Sequence, residues 1–129
     1  MAESKPLRIF LVDDDQDIID IMSVLLEGAG HSVKSEVAGA YAISAIEREK
    51  PDCVVTDLMM AELDGLELCK ELRGRGKLEG MTIIFVSAQT AEYWQNRARE
   101  AGADGYITKP LRVREFVGQV EGIVAGRPG

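Results

Sequence analysis

The sequence predicts an α/β fold, a doubly wound parallel sheet of five strands with five helices packed on its two faces. Strand and helix signals alternate along the 129 residues, which predicts right-handed crossovers between parallel strands. Residues 9–12, 53–56 and 83–86 are short and almost continuously apolar, as strands buried on both faces are. Each run leads into a polar residue at the sheet edge where such folds bind ligands.

The elements follow one another with recognisable start and stop signals. Asp15 or Asp14 can cap the first helix, and Pro51 stops the second. The predicted order after the strand at 9–12 is a helix ending at the glycines of residues 28–30, a strand at 32–37, a helix at 40–50, a strand at 53–56, a helix at 65–72, a strand at 83–86, a helix at 90–100, a strand at 105–108 and a helix at 111–124.

Helical spacing of the apolar residues predicts which side chains face the core. They are Ile18, Ile21, Met22 and Leu25 in the first helix, and Val113, Phe116, Val117, Val120 and Val124 in the last. Trp94 shares an apolar stripe with Ala98, which favours core packing over a surface role. His31 follows the glycines after the first helix and is interpreted as a loop residue.

Length and composition indicate one domain, which we place at residues 7–125, with a tail at 1–6 and a tail or linker stub at 126–129. A formal charge of -7 argues against direct binding of nucleic acid. Cys53 and Cys69 form no CxxC pair and are predicted to be reduced core residues. With no apolar signal region and no run of roughly 20 apolar residues, we expect a cytoplasmic protein.

Polar groups from four predicted strands are expected to meet at one edge of the sheet. They are Asp13 and Asp14 after the first strand, Asp57 at the end of the third, Ser87 at the end of the fourth and Lys109 after the fifth. Carboxylates about 4 Å apart repel by about 4 kcal/mol per pair at an effective dielectric near 20, so a cation is required. Lys109 supplies one charge, and oxygen ligands without His or Cys select Mg²⁺ or Mn²⁺ for the rest.

These groups are the parts of a phosphoryl-binding site. An Asp carboxylate can itself be the nucleophile of phosphoryl transfer, which makes Asp57 the candidate acceptor. A phosphoryl group would replace one negative charge by about two, and the Ser87 hydroxyl is expected to move toward the new oxygens as a switch. Met59 and Gln89 flank the path by which water is expected to approach a phosphoryl group on Asp57. Because this pair is uncharged and would not orient the water, slow hydrolysis of the aspartyl phosphate is predicted.

Five short motifs resemble those of the receiver domain of two-component response regulators. They are Val12-Asp13-Asp14, Val55-Thr56-Asp57, Leu63-Asp64-Gly65-Leu66, Val86-Ser87-Ala88, and Gly102-Ala103-Asp104-Gly105-Tyr106 with Lys109-Pro110. Each motif alone is weak, whereas all five in this order across residues 7–124 are specific. The resemblance implies a flavodoxin-like sheet with strand order 2-1-3-4-5.

The resemblance also implies how the edge of the sheet holds a metal ion. Asp14, Asp57 and the backbone carbonyl of Met59 would ligate Mg²⁺ directly, and Asp13 would act through water. Lys109 would hold the phosphoryl group.

A switch is implied as well, in which Ser87 and Tyr106 move when Asp57 is phosphorylated. Their movement would remodel the surface made by the fourth helix, the fifth strand and the fifth helix. The peptide between Lys109 and Pro110 would be cis.

The implied partners are a phosphohistidine donor and a downstream protein. The donor would be a histidine kinase or a histidine phosphotransfer protein that docks on the solvent side of the first helix. Ile19 is predicted to be the exposed apolar anchor there. The downstream protein would bind the switched surface, and the domain would be a monomer or a phosphorylation-dependent dimer without nucleic-acid or membrane partners.

Three other functions fit less of the sequence. A haloacid-dehalogenase-like phosphatase would use Asp13 as nucleophile and Asp15 as acid/base, which leaves Asp57 without a role. A flavodoxin-like cofactor binder would need a phosphate loop where this chain has three consecutive Asp residues. A receiver-like scaffold that works without phosphorylation would not need the full set of edge residues. We therefore expect a phosphoacceptor regulatory domain rather than an enzyme.

Overall fold

A computed structural model describes residues 5–60, 64–78 and 80–126. Its elements are β1 (Arg8–Val12), α1 (Gln16–Gly28), β2 (Ser32–Glu36), α2 (Gly39–Glu49), β3 (Cys53–Asp57), α3 (Gly65–Arg73), a 3-10 turn (Gly76–Leu78), β4 (Thr82–Ser87), α4 (Glu92–Glu100), β5 (Gly105–Thr108) and α5 (Phe116–Gly126). The predicted alternation of five strands and five helices is confirmed.

The five strands form one parallel sheet in the order β2-β1-β3-β4-β5, which confirms the predicted flavodoxin-like topology. The register places Val12 beside Thr56 and Asp57 beside Val86. The carboxyl ends of β1, β3, β4 and β5 therefore lie side by side, and we call this the C-terminal edge, marked by Asp13, Asp57, Ser87 and Lys109.

The apolar residues form one core on each face of the sheet. On one face β-strand side chains pack against α2, α3 and α4, and on the other they pack against α1 and α5. All residues of the central strands β3 and β4 are buried, as their unbroken apolar runs predict. Trp94 packs against the first core, and both cysteines are free and buried, so these predictions are confirmed.

Polar side chains and one glycine fix the helices that leave the C-terminal edge. Asp15 caps α1 by accepting from the Asp17 N–H at 3.0 Å, and Asp64 caps α3 by accepting from the Leu66 N–H at 2.8 Å. A Cβ at position 65 would collide with the carbonyl oxygens of Asp57 and Leu58. Glycine is therefore required where α3 begins against the end of β3.

The prediction for the buried face of α1 is partly wrong. The sequence predicts Ile19 at the surface and Ile21 in the core, but Ile19 is 1% exposed and Ile21 is 44% exposed. The buried residues are Ile19, Met22 and Leu26. Apolar residues occur on most sides of this helix, so their spacing is compatible with more than one buried face. Packing of the helix against the sheet determines which face is buried.

The predicted start of α5 is also wrong. The helix begins at Phe116 rather than near residue 111, because residues 113–115 form a turn. Val113, predicted to face the core, is 59% exposed as a result. Phe116 and Val120 are buried as predicted.

His31 lies in the loop between α1 and β2, as interpreted, but it is also buried. Its Nδ1 accepts from the Leu7 N–H at 2.9 Å, and its Nε2 lies 2.8 Å from Glu121 Oε2. Because Nδ1 is an acceptor, Nε2 carries the proton and donates to the carboxylate. The ring thus joins the start of β1 to α5, far from the C-terminal edge.

Candidate functional site

The structure brings Asp13, Asp14 and Asp57 together at the C-terminal edge. Each contributes a carboxylate oxygen, and these oxygens all lie within 4.8 Å of one another. Asp13 and Asp57 are buried, whereas Asp14 is exposed. The arrangement follows from the sheet order, since β1 and β3 are neighbours and end at the same level.

Lys109 is placed against this cluster by the loop after β5. Its Nζ lies 3.2 Å from Asp13 Oδ2 and 3.6 Å from Asp57 Oδ2. Its backbone N–H donates to the Ser87 carbonyl at 2.8 Å, and the following peptide to Pro110 is cis. The structure thus places the predicted lysine and two of the three predicted carboxylates in direct contact.

The Asp57 carboxylate is held in an environment that disfavours its charge. Burial raises its pKa, and the neighbouring Asp13 raises it further. Lys109 and hydrogen bonds from the backbone N–H groups of Leu58 and Met59 oppose this shift but do not cancel it. The Lys109 ammonium therefore does not offset the effects of burial and of Asp13 on Asp57, and a further cation would stabilise the ionised form.

The donor set at the edge fits a hard divalent cation. The acidic cluster within the described ranges supplies carboxylate oxygens and contains no His or Cys ligand. Three carboxylates and one nearby ammonium leave a formal charge of about -2 if all are ionised, and oxygen ligands suit Mg²⁺ or Mn²⁺ rather than zinc.

Ser87 and Tyr106 are both connected to Gln89, in the loop that follows β4. The buried Ser87 Oγ accepts from the Gln89 N–H at 3.0 Å. The Tyr106 hydroxyl donates to the Gln89 carbonyl at 2.6 Å. Sequence reasoning did not identify this connection, because it runs through backbone atoms that carry no residue-type signal.

Ile19 does not lie at the surface near this site, so the predicted docking anchor is wrong. Its side chain is part of the core formed with α5. The exposed apolar side chains of α1 are instead Ile21 and Val24, and Val113 in the turn before α5 is exposed as well. Val24 is the most exposed of these three side chains, at 70%.

The sequence of this chain matches a known family of domains. The model of the response regulator receiver domain matches residues 9–121, most of the chain. The chain belongs to this family. It is accordingly a receiver domain of the two-component response regulators, as its motifs predicted.

Curated relatives support the same assignment. The alkaline phosphatase synthesis transcriptional regulatory protein PhoP of Bacillus subtilis (strain 168) is 36% identical over 117 residues, which cover 91% of this chain and 48% of PhoP. Response regulator MprA of Mycobacterium sp. (strain KMS) is 34% identical over 119 residues, covering 92% of this chain and 51% of MprA. The receiver domain thus spans about half the length of the curated relatives it matches.

Solved structures share its architecture. The BeF3-activated N-terminal receiver domain of Klebsiella pneumoniae RstA superposes with a TM-score of 0.81 at 28% identity, covering 91% of this chain and 97% of that one. Chemotaxis response regulator CheY4 of Vibrio cholerae reaches a TM-score of 0.87 at 21% identity, over 92% and 99% of the two chains, which shows the shared fold. Among the described residues, every helix is too short or too polar to cross a bilayer.

Proposed function

We propose that this receiver domain accepts a phosphoryl group on Asp57 from a histidine kinase or a histidine phosphotransfer protein, in a Mg²⁺-dependent reaction. The contact of Lys109 with Asp13 and Asp57 inside a cluster of three carboxylates carries the proposal. A carboxylate oxygen of Asp57 would attack phosphorus, a P–O bond would form, and the P–N bond to the donor histidine would break. The electron pair of that bond returns to the imidazole nitrogen.

Residues around Asp57 would supply the ligands of the Mg²⁺ ion. Asp14, Asp57 and the backbone carbonyl of Met59 would ligate Mg²⁺ directly, and Asp13 would act through water. The ion would neutralise charge on the phosphoryl oxygens, while Lys109 holds them by a charge-assisted hydrogen bond. Proximity of Asp13 to Lys109 keeps the ammonium beside Asp57 before the donor arrives.

Phosphorylation would act on the loop through Ser87 and Tyr106. A phosphoryl group brings three acceptor oxygens and about two negative charges to Asp57. The Ser87 hydroxyl would turn toward these oxygens and give up its bond from the Gln89 N–H. Because Tyr106 holds the carbonyl of the same residue, the surface of α4, β5 and α5 would be remodelled with it.

Two rival functions are less compatible with the observed contacts. In the phosphatase alternative Asp15 would act as acid/base, but its side chain is engaged as the cap of α1. A scaffold that needs no phosphorylation would not require Lys109 to be positioned between Asp13 and Asp57. We therefore propose a regulatory domain whose phosphorylation and slow autodephosphorylation are its chemistry, rather than an enzyme acting on a separate substrate.

The donor would dock on α1 and on the turn before α5. Ile21, Val24 and Val113 are the exposed apolar residues there, and they replace Ile19 as the proposed anchors. Acidic side chains at Asp17 and Asp20 flank them, which favours a donor with basic residues around its histidine. The downstream partner would be a protein bound to the face of α4, β5 and α5.

The remaining assignments extend the same proposal to the chain as a whole. The receiver domain would extend from residue 7 through Gly126, the last residue of α5, rather than end at residue 125 as predicted. The remainder of the predicted tails, at residues 1–4 and 127–129, lies outside the described residues. It would work in the cytoplasm as a monomer or a phosphorylation-dependent dimer. Its charge of -7 disfavours direct binding of nucleic acid by this domain.

Incubation with Mg²⁺ and acetyl phosphate tests the proposal by intact mass. We expect a single labile phosphoryl adduct that requires Mg²⁺ and is absent from Asp57→Asn. The matched control is Asp52→Asn, an exposed carboxylate near the opposite end of the sheet, which should be labelled normally. An adduct retained by Asp57→Asn and lost in Asp13→Asn would favour the phosphatase alternative.

A further inference from the structure

Among the methionines at positions 22, 59, 60 and 81, Met59 stands apart by its exposure. It is 47% exposed, whereas Met22 and Met81 are 1% and 4% exposed. Met60 is half-buried and packs against the core. Among the methionines of the described ranges, Met59 is therefore the one most open to a reagent in solvent.

The same residue lies against the phosphoryl acceptor. The backbone N–H of Met59 hydrogen bonds to the Asp57 carboxylate. Met59 is the second residue after Asp57, and two residues of extended chain span about 7 Å at most, so the Met59 Cα lies within about 7 Å of the Asp57 Cα. An unbranched side chain starting there can cover one approach to an atom bonded to Asp57.

We propose that Met59 is a methionine-oxidation site and that its sulfoxide shortens the lifetime of the phosphoryl group on Asp57. The inference rests on the proposed function, since it concerns that phosphoryl group. The domain would then respond to an oxidant as well as to its phosphodonor. The oxidant would shorten the lifetime of the phosphorylated state without any change in the donor.

The oxidant class that suits the site is a neutral peroxide. The cluster of Asp13, Asp14 and Asp57 repels anionic oxidants, but it does not repel hydrogen peroxide. The sulfur lone pair attacks one peroxide oxygen, an S–O bond forms and the O–O bond breaks. Sulfur loses two electrons, the peroxide is reduced to water, and its own two protons complete that water molecule.

Oxidation changes what the side chain offers to water. The thioether is apolar and a very weak acceptor, so beside the acyl phosphate it would bind no water molecule. The sulfoxide is polar and accepts hydrogen bonds. It would hold and orient a water molecule beside phosphorus, where hydrolysis of the aspartyl phosphate requires one.

The test combines a map of oxidation with a decay measurement. The wild-type domain is treated with hydrogen peroxide, and peptides are analysed to locate methionine sulfoxide. The oxidised and untreated proteins are then labelled with acetyl phosphate and Mg²⁺, freed of donor, and followed by intact mass. We expect Met59 to be oxidised before Met22, Met60 and Met81, and the oxidised adduct to decay at least about threefold faster, a small part of what a full general base contributes.

Matched variants separate Met59 from its neighbour. Met59→Leu should decay at one rate with and without peroxide, whereas Met60→Leu should respond to peroxide as the wild type does. Met59→Gln, which places a polar acceptor at the same position, should decay fast without peroxide. Treatment with the two methionine sulfoxide reductases, one for each epimer, should restore the slow decay of the oxidised wild type.

Each outcome decides the inference. Oxidation of a buried methionine before Met59 overturns it, and so does an unchanged or slower decay once Met59 is oxidised. If the untreated wild type forms no adduct at all, the proposed function fails and this inference fails with it. If the adduct forms and decays alike with and without the sulfoxide, only this inference fails.

Discussion

Asp57 is a residue whose charge is unfavourable in the folded, metal-free domain. Its carboxylate is 12% exposed and shares its surroundings with Asp13 and with the Lys109 ammonium. The folded chain therefore holds the Asp57 proton more tightly than the unfolded chain does. This makes the stability of the metal-free domain depend on pH in a direction opposite to that of an ordinary ion-paired carboxylate.

Neutralising Asp57 is expected to stabilise the metal-free domain. Because the pKa of Asp57 is raised by folding, the native state binds more protons between the unfolded and folded pKa values, and the free energy of unfolding falls as pH rises through that window. In EDTA at neutral pH, Asp57→Asn should raise the free energy of unfolding by about 1 kcal/mol in urea titrations. The gain should shrink toward low pH, and Mg²⁺ should stabilise the wild type more than the variant.

A lower stability of Asp57→Asn in EDTA at neutral pH would contradict this electrostatic reading. Asp52→Asn serves as the control for removing one negative charge outside the acidic cluster. Its carboxylate accepts from the Arg8 N–H, so the change should cost stability rather than add it.

Lys109 is expected to matter for phosphoryl transfer through its charge. Lys109→Met keeps most of the side-chain volume but removes the ammonium beside Asp13 and Asp57. Labelling by acetyl phosphate, followed by intact mass over time, should slow by about 100-fold. Lys34→Met, at an exposed position of β2, should label at the wild-type rate. Equal labelling rates for the two variants would show that Lys109 takes no part in phosphoryl transfer.

At the scale of single elements, α1 shows how sequence periodicity succeeds and fails. The helix, its cap and its end are all predicted, since Asp15 and the glycines of residues 28–30 are local signals. The buried face is not, because apolar residues occur on most sides of the helix. The same holds for α5, where Phe116 and Val120 are placed correctly but the turn at 113–115 carries no breaker residue.

Alanine substitutions at two neighbouring isoleucines test the corrected face of α1. Ile19→Ala should lower the free energy of unfolding by about 2–4 kcal/mol, because it leaves a cavity in the core. Ile21→Ala should change it by about 0.5 kcal/mol or less. The measurement is urea unfolding of both variants, and the reverse order would restore the original prediction for this helix.

Asp15 is expected to contribute to stability but not to acceptor chemistry. Its carboxylate caps α1, so Asp15→Ala should lower the free energy of unfolding by about 1 kcal/mol in the same titration. Labelling by acetyl phosphate should continue, since Asp13, Asp14 and Asp57 remain. Loss of labelling in a folded Asp15→Ala protein would instead favour the phosphatase alternative.

For the whole molecule, the fold and the location of the acidic cluster are predictable from the sequence because the protein is built on a parallel sheet. Parallel strands buried on both faces have unbroken apolar runs, and the residues after them meet at one edge by topology alone. Asp13, Asp57 and Lys109 are therefore brought together as predicted. Contacts that depend on three-dimensional detail were missed, such as the bridge from His31 to Glu121, which are 90 residues apart, and the two bonds that meet at Gln89.

The most direct test of the central claim locates the phosphoryl group on the chain. The domain is labelled with acetyl phosphate and Mg²⁺ and then reduced with borohydride, which converts an aspartyl phosphate to homoserine without touching free carboxylates. Peptide sequencing by mass spectrometry should place homoserine at position 57 and nowhere else. Homoserine at position 13 or 14, or none in a protein that carries the adduct, would contradict the assignment of Asp57 as the acceptor.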